Sequence, residues 1–353
     1  MKKRVVVAMS GGVDSSVAAA ILRERGFEVI GITMCFNLKD PVVRKPRCCG
    51  TKGIEDARRV AHKLGINHYV VNMKDALNRY IISDFMREYT FGRTPNPCVR
   101  CNQFIKFGLL FKKADALGAE FLATGHYARG VTSAGRYYLR KARDLHKDQS
   151  YFLYRLKAGQ LKRVFFPLGN MLKKEVRKLA ESFGLAVADK PESQEICFLP
   201  GDNYREFIRA NCSVKPGLIV NKEGAVLGRH KGVALYTIGQ REGLGIAAGQ
   251  PLYITDIDAR SDKITVGAKN EAYTKAFAVK DISFINRPPK KKIEAKVRIR
   301  YNHREAPAGI DIRQGKAIVY FKEPQFAVTP GQSAVFYQKD IVLGGGIIER
   351  RLD

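Results

Sequence analysis

The sequence predicts an α/β protein that begins with a mostly parallel sheet, continues through a small mixed domain and ends in an antiparallel β-barrel. Strand and helix patterns alternate over residues 1–125, which is typical of a parallel sheet covered by helices. The period changes to that of short strands from residue 215 onward, and beyond residue 292 alternating segments separated by Gly, Pro and Asp indicate a small antiparallel barrel. The 353 residues are enough for several domains. We place them at residues 1–211, 212–284 and 285–353.

Periodicity predicts the individual elements. We expect parallel strands at residues 5–9, 28–33, 68–72 and 120–124. Helices are expected at residues 15–25, 54–64, 76–89, 104–117, 172–183 and 203–210. A hairpin is expected at residues 130–142, and later strands at residues 218–220, 226–228, 236–241, 252–254, 294–300, 316–321, 333–337 and 341–343.

One glycine turn lies at the end of the first predicted strand, where Ser-Gly-Gly-Val-Asp-Ser-Ser occupies residues 10–16. Gly11 and Gly12 permit positive φ and close backbone approach, and the helix that follows directs N–H groups at one point. Ser10, Ser15 and Ser16 add hydroxyl donors, and Asp14 is a candidate magnesium ligand. A plain capped turn is the alternative, but the strand–loop–helix context favours phosphate binding.

The ends of the neighbouring strands should lie beside this loop. Ligands of open parallel sheets bind at the carboxyl ends of the strands. Ser10, Met34 and Gly125 follow three predicted strands, so we expect them to converge on one crevice. Met34 and Gly125 are then candidates for lining a base pocket, although core packing is the ordinary role of a methionine.

The charge balance predicts a polyanionic partner. The chain has 62 Lys and Arg against 34 Asp and Glu, which gives a formal net charge of +28. Solubility requires far less charge, so nucleic acid is the favoured partner. We find no signal-type or membrane-spanning apolar run, and the seven cysteines are an odd number. We therefore expect a cytoplasmic protein without disulfides and without membrane contact.

The cysteines at residues 98 and 101 form a C-x-x-C motif in a loop stiffened by two prolines. Arg93 and Arg100 are expected to favour a thiolate there. The motif alone also permits a zinc half-site, a redox dithiol or part of an iron–sulfur site. Cys197 stands alone in the sequence, where a small core residue is the ordinary interpretation.

Taken together, the motifs resemble those of the bacterial tRNA-specific 2-thiouridylases. The matching stretches span nearly the whole chain in the same order, at residues 10–16, 48–50, 94–102, 125–128, 147–153, 193–198, 237–246 and 330–337. The resemblance implies a PP-loop, adenine-nucleotide hydrolase-like first domain that binds ATP and Mg²⁺, and a barrel that contacts tRNA. It implies a nucleotide site formed by Ala8, Met9, Ser10, Gly11, Gly12, Val13, Asp14, Ser15, Ser16, Met34 and Gly125.

The reaction implied by the resemblance is 2-thiolation of uridine 34 in the tRNA anticodon. ATP adenylates the 2-carbonyl oxygen of the uracil, and sulfur then displaces AMP. The family pattern puts the nucleophile at Cys101 and the persulfide at Cys197, with Cys98 and Asp14 as further catalytic residues. A cysteine desulfurase or a persulfide carrier is the implied sulfur donor.

The sequence departs from the family pattern at Cys98, where many members have Asp. The alternative implied by the resemblance to related tRNA thiolases is that Cys98, Cys101 and Cys197 hold a 4Fe–4S cluster with one open iron. Spacing alone leaves the persulfide and cluster alternatives open.

The resemblance also assigns the tRNA contacts. Target-base contacts fall on Asn96, Pro97 and Cys98, and other contacts on His126, Lys147, Asp148, Gln149, Arg300, Tyr301 and Gln332. Two other functions remain alternatives: an ATP-pyrophosphatase synthetase acting on a small molecule, and a non-enzymatic cytosolic RNA-binding protein that uses its cysteines for zinc. The first leaves the charge unexplained, and the second leaves residues 10–16 unexplained.

Overall fold

A computed structural model of the chain describes residues 2–36, 38–39, 46–47, 51–192, 196–199, 203–288 and 290–352, without the side chains of residues 38, 39, 46, 47 and 51. The chain divides into two compact units. The first comprises Met1–Ile81, Cys98–Phe198 and Asp340–Val342, and the second comprises Ile82–Pro97, Leu199–Lys339 and Leu343–Asp353.

Helical structure is found in all six predicted regions, two of which contain local exceptions, whereas the short helices Pro97–Arg100 and Ala158–Leu161 were not predicted. The helices are α1 Val13–Glu24, α2 Thr51–Leu64, α3 Lys74–Leu77, α4 Ser83–Thr90, α5 Pro97–Arg100, α6 Leu110–Ala116, α7 Ala158–Leu161, α8 Lys173–Ser182 and α9 Tyr204–Asn211. The helices predicted at residues 76–89 and 104–117 each contain a π-helical segment, Asn78–Ile82 and Cys101–Leu109. Such widened turns are rare and occur frequently at functional sites.

A five-stranded parallel sheet forms the centre of the first unit, with strand order β5-β2-β1-β6-β9. The strands of this unit are β1 Arg4–Ala8, β2 Glu28–Cys35, β3 Leu38–Lys39, β4 Pro46–Arg47, β5 Asn67–Asn72, β6 Phe121–Thr124, β7 Ala128–Ser133, β8 Arg136–Lys141 and β9 Val164–Phe165. Val5, Val6 and Val7 are fully buried because β1 is central and helices cover the sheet.

The core of the first unit explains why α8 packs beside α1, although the two helices are far apart in sequence. Val17 and Ala20 of α1 share one cluster with Val176 and Ala180 of α8. Packing of these small apolar faces places α8 beside α1.

The hairpin β7–β8 turns at Ala134 and Gly135, whose φ angles are 46° and 71°. Two successive positive φ angles are the requirement of a type I′ turn, so the predicted hairpin is confirmed.

The second unit holds two antiparallel-rich sheets. Its strands are β10 Gly217–Val220, β11 Val226–His230, β12 Tyr253–Asp258, β13 Lys263–Gly267, β14 Tyr273–Phe284, β15 Lys292–Arg298, β16 Ala306–Arg313, β17 Lys316–Phe326, β18 Ser333–Gln338 and β19 Ile341–Arg351. The strands β14–β19 form a barrel, since β14 pairs with both β17 and β19. Phe277, Val319 and Phe336 are fully buried in its core.

The strand predicted at residues 236–241 is wrong. Gly239 has φ +83°, and the N–H of Gln240 donates to the Thr237 carbonyl at 3.1 Å. These residues therefore form a tight turn, because the chain cannot stay extended through a left-handed glycine. Alternation of apolar and polar residues suggested a strand, but the glycine determined the local geometry.

Candidate functional site

The turn between β1 and α1 forms a compact loop at the carboxyl end of the central strand. Gly11 has φ +74°, which L side chains rarely adopt. The Ser15 and Ser16 hydroxyls both donate to the Gly12 carbonyl, at 3.1 and 2.9 Å, and the Ser10 N–H donates to Ser15 Oγ at 3.1 Å. Gly12 is the N-cap of α1 and provides no side-chain cap. The first-turn N–H groups can therefore serve an anionic ligand.

The register of the sheet places the neighbouring strand ends beside this loop. Ala8 pairs with Ile32 of β2 on one side and with Thr124 of β6 on the other. A Cβ added to Gly125 would lie 2.8 Å from the backbone of Asp14 and Ser15. Glycine at this position thus lets the segment after β6 lie directly against the start of α1. Met34 is half-buried near the end of β2. The contact of Met34 and Gly125 with a base stays a prediction.

Asp14 is the centre of a charged network that the sequence did not indicate. Its Oδ1 accepts from Tyr127 Oη at 2.8 Å, and Lys173 Nζ donates to Oδ1 and Oδ2 at 2.7 and 2.8 Å. Lys173 Nζ also lies 3.0 Å from Glu192, whose other oxygen accepts from Lys147 Nζ at 2.7 Å. Burial alone would raise the pKa of Glu192, but hydrogen bonds from the two lysines outweigh it and lower that pKa.

A second lysine, Lys190, also contacts the glycine turn. Lys190 Nζ donates to the Gly11 carbonyl at 2.9 Å and to Asp56 Oδ2 at 2.6 Å. Asp56 also accepts from Arg59. Burial would raise the pKa of Asp56, and its two cationic partners lower it overall. Lys190 therefore anchors the glycine turn to the start of the neighbouring helix, α2.

The C-x-x-C cysteines differ in their surroundings. Cys98 lies in α5 and is exposed, whereas Cys101 begins the π-helical segment and is buried. Burial raises the pKa of Cys101, and desolvation by the surrounding protein raises the pKa of the accessible Cys98 thiol to about 11. The Lys106 ammonium opposes both shifts. Both thiols are therefore protonated at neutral pH in this arrangement.

The expectation that Arg93 and Arg100 favour a thiolate is wrong. Arg93 donates to both oxygens of Glu88, at 2.6 and 2.8 Å. Arg100 lies over the Phe104 ring, with 5.7 Å to the centroid. Neither guanidinium contributes to the pKa of the thiols, and a lysine five residues after Cys101 does so instead.

The three cysteines proposed as cluster ligands do not form a ligand set. Across the residues that the structure describes, which include Cys98, Cys101 and Cys197, no three His, Cys, Asp or Glu side chains could hold a metal ion together. This arrangement does not fit a 4Fe–4S cluster held by three thiolates. Cys48 and Cys49, with the motif at residues 48–50, lie outside the described residues.

Comparison with known proteins covers the whole chain. A family described as tRNA methyl transferase HUP domain matches residues 3–201. The chain is 47% identical to the tRNA-specific 2-thiouridylase MnmA 1 of Syntrophus aciditrophicus, covering 100% of this chain and 94% of that protein. It is 50% identical to the tRNA-specific 2-thiouridylase MnmA of Geotalea uraniireducens, covering 100% of this chain and 96% of that protein. The chain belongs to the tRNA-specific 2-thiouridylase family.

Membership of the thiouridylase family confirms the resemblance, the enzyme class and the predicted fold class. The later parts match a tRNA methyl transferase PRC-barrel domain at residues 205–268 and an aminomethyltransferase beta-barrel domain at residues 274–348. The boundaries expected at residues 211 and 284 stay a prediction.

The NMN synthetase of Francisella tularensis superimposes with a TM-score of 0.35 at 15% identity, covering 58% of this chain and 71% of that one. That similarity is too low to support an inference. Within the described residues, no helix has the length and apolar character needed to cross a bilayer.

Several residues that the thiouridylase resemblance assigns to tRNA have partners within the first unit. His126 is buried, with Nδ1 at 2.8 Å from Thr124 Oγ1 and Nε2 at 3.4 Å from Lys106 Nζ. Burial lowers the pKa of His126 well below 6.5, and Lys106 adds to the effect. Because a lysine only donates, Nε2 is the accepting nitrogen of a neutral imidazole.

Asp148 and Gln149 hold the neighbouring loop in shape. The Asp148 carboxylate accepts from the Ala142 N–H at 3.0 Å and from the Ser150 hydroxyl at 2.9 Å. Gln149 Oε1 accepts from the Tyr127 N–H at 3.0 Å. Asp148 is buried, and its carboxylate stabilises the loop. The contacts of His126, Lys147, Asp148 and Gln149 with tRNA stay a prediction.

In the second unit, Gln332 holds the chain just before the cysteines. Its Nε2 donates to the carbonyls of Thr94 and Pro95, at 3.0 and 3.1 Å. The Thr94 N–H donates to the Pro330 carbonyl at 2.9 Å, and its hydroxyl lies 2.8 Å from that of Thr237. Residues 94 and 95 are therefore held by three residues that are distant in sequence, Gln332, Pro330 and Thr237.

The remaining predicted tRNA contacts also lie in the second unit. Arg300 Nη2 donates to the Ile238 carbonyl at 2.9 Å and to the Thr329 hydroxyl. Tyr301 is half-buried, and the Arg298 guanidinium lies 5.2 Å from its ring centroid. Asn96 is half-buried and Pro97 is buried. The assignment of these residues to tRNA stays a prediction.

Proposed function

We propose that the protein is an ATP-dependent tRNA 2-thiouridylase that acts on uridine 34. The observation that carries the proposal is 47–50% identity, over essentially the full length, to proteins named tRNA-specific 2-thiouridylase. The formal charge of +28 supports a polyanionic substrate. The target base leaves its stack to reach the active site, as it does in other enzymes that modify bases.

The first step is adenylation. The 2-carbonyl oxygen of the uracil attacks the α-phosphorus of ATP, the bond to the β-phosphate breaks, and pyrophosphate leaves. The positive φ of Gly11 and the uncapped start of α1 fit a phosphate cradle. Asp14 is the candidate ligand of this loop for Mg²⁺, which would neutralise phosphate charge when bound.

The second step is sulfur transfer. The terminal sulfur of a persulfide on Cys197 attacks C2, and AMP leaves with the original oxygen. The Cys101 sulfur then attacks the Cys197 sulfur, and the proton of the Cys101 thiol passes to the departing thiouracil. The S–S bond breaks, its electron pair remains on the sulfur bound to C2, and 2-thiouridine and a Cys101–Cys197 disulfide result. An external dithiol reduces that disulfide. The exposure of Cys197 supports loading by a donor protein such as a cysteine desulfurase or a persulfide carrier. The cytoplasmic compartment stays a prediction.

A reconstituted assay tests the proposal. The protein is incubated with ATP, Mg²⁺, unmodified tRNA and a persulfide source, and the digested RNA is examined for 2-thiouridine by mass. We expect product from the unmodified protein and from Cys212→Ser, but none from Cys101→Ser or Cys197→Ser. ATP consumption without tRNA would instead indicate a small-molecule synthetase, and absence of ATP consumption would indicate a binding protein.

The same assay addresses the departure at Cys98. We expect Cys98→Ala to retain thiolation under anaerobic conditions, and purified protein to contain no stoichiometric iron. Iron that is lost together with activity in Cys98→Ala would contradict the persulfide route.

A further inference from the structure

An aromatic–guanidinium cluster joins the two π-helical segments of the first unit. The Tyr80 and Phe104 rings are stacked, with 5.0 Å between their centroids and 14° between their planes. The Arg79 guanidinium lies 5.4 Å from the Tyr80 centroid, and the Arg100 guanidinium lies 5.7 Å from the Phe104 centroid. Each ring therefore contacts the other ring and one cation. We call these four side chains the aromatic cluster.

The aromatic cluster lies at the surface of the first unit. Arg79 is exposed, and the other three side chains are half-buried. Paired rings that serve packing alone are buried, as Phe277 and Phe321 are in the barrel core, where their centroids lie 5.5 Å apart. The rings of the aromatic cluster thus keep accessible surface that a flat ligand can cover.

The charge of the aromatic cluster distinguishes it from a similar arginine–aromatic pair elsewhere in the chain. The Arg93 guanidinium lies 4.9 Å from the Phe91 ring centroid, but it also donates to Glu88, which offsets its charge. Arg79 forms no ion pair with any carboxylate in the described part of the chain. The positive charge of Arg79 is therefore available to a phosphate.

The sequence places the aromatic cluster beside the C-x-x-C cysteines. Arg100 lies between Cys98 and Cys101, and Phe104 follows Cys101 by three residues. Cys98 is exposed on α5, and Phe104 lies in the π-helical segment that follows α5 directly. An RNA strand that delivers its target base to these cysteines therefore brings the adjacent nucleotides close to the cluster. Unpaired bases stack on aromatic rings and guanidinium planes, and arginine pairs with phosphate.

We infer that the aromatic cluster binds an unpaired nucleotide of the tRNA anticodon loop, adjacent to the target uridine. The inference rests on the proposed function, in which the target base reacts beside Cys101. The exposed Arg79 side chain turns from Tyr80 to the phosphate, and the base stacks on the ring face that it leaves. A formal charge of +28 favours RNA, rather than a protein that supplies sulfur, as the occupant.

Equilibrium RNA binding tests the inference. The probes are an unmodified tRNA anticodon stem-loop with U34 and a fully paired RNA duplex of the same length, titrated into the unmodified protein, Tyr80→Leu, Tyr80→Phe, Arg79→Gln and Phe91→Leu. We expect Tyr80→Leu to weaken stem-loop binding about five- to 150-fold, the effect of one lost base–aromatic stack. Tyr80→Phe should retain the affinity for the stem-loop, and duplex binding should not change.

The salt dependence of binding separates the two contacts. Arg79→Gln should lower the slope of log K for the stem-loop against log salt by about 0.7, the value for one phosphate contact on a single strand. Tyr80→Leu should leave that slope unchanged, because stacking releases no counterion. Phe91→Leu is the matched control, since this exposed ring also carries an arginine, and it should bind both RNAs like the unmodified protein.

Four results would overturn the inference. Unchanged stem-loop affinity in Tyr80→Leu would show that no base stacks on this ring. Equal weakening of stem-loop and duplex binding by Tyr80→Leu would show that the cluster only supports the fold. Unchanged affinity with slower thiolation from a persulfide carrier, but not from free sulfide, would place the sulfur donor on the cluster. Absence of stem-loop and tRNA binding by the unmodified protein would overturn the proposed function as well, and so differs from the first three results.

Discussion

Replacement of Gly125 by alanine should distort the start of α1 and weaken nucleotide binding. The new Cβ would lie 2.8 Å from the backbone of Asp14 and Ser15, about 0.6 Å closer than the 3.4 Å at which ordinary contact begins. Both neighbours are backbone atoms, so no side chain can rotate away. Overpacking of this kind costs about 1–3 kcal/mol. For a unit of this size, that corresponds to a Tm lower by roughly 2–12 °C.

Thermal unfolding and AMPPNP titration measure the two effects. If about 1.4 kcal/mol of the strain appears in the complex, AMPPNP binds tenfold more weakly. Gly159→Ala is the matched control, because no heavy atom lies within 4 Å of its added Cβ. It should change stability by less than about 0.5 kcal/mol. A Gly125→Ala protein with the Tm and AMPPNP affinity of the unmodified protein would refute the close packing described here.

Three further outcomes are expected. Burial lowers the pKa of His126 below 6.5, so its contribution to stability is present above pH 6.5 and is lost as the pH falls toward the folded-state pKa. His126→Gln should therefore flatten the decline of Tm between about pH 7 and pH 5, and an unchanged slope would contradict this. Gln332→Glu should destabilise the protein by about 1–3 kcal/mol in urea unfolding, because a carboxylate cannot donate to the carbonyls of Thr94 and Pro95. Replacing the exposed lysines 290–292 by glutamine should reduce the slope of log K for tRNA against log salt by about 3, and an unchanged slope would exclude phosphate contacts there.

The sequence predicts the first unit well because its signals are local. An apolar run, a glycine turn and an alanine-rich stretch each determine their own geometry, so β1, the loop and α1 follow from residues 4–24. The second unit was harder to predict. Its long strands β14 and β16 were missed, since barrel strands of 12 and 8 residues depend on pairing partners far away in sequence.

The candidate site shows the same contrast between features set by local sequence and features set by contacts between distant residues. Residues 10–16 could be found from a motif, whereas Lys173 meets Asp14 across 159 residues and no local pattern marks it. Lys106 was missed for a different reason. The π-helical segment bonds residue i to residue i+5, which brings Lys106 toward Cys101, and helix prediction assumes the 3.6-residue repeat.

The path of the chain has a consequence for synthesis. The first unit takes residues 340–342 from near the C-terminus, and the second takes residues 82–97 from the N-terminal half. Neither unit is complete until almost the entire chain has left the ribosome, whereas separable domains fold in turn as they emerge. The two units therefore cannot be exchanged between proteins as intact cassettes, and a stop codon before residue 340 leaves both unfinished.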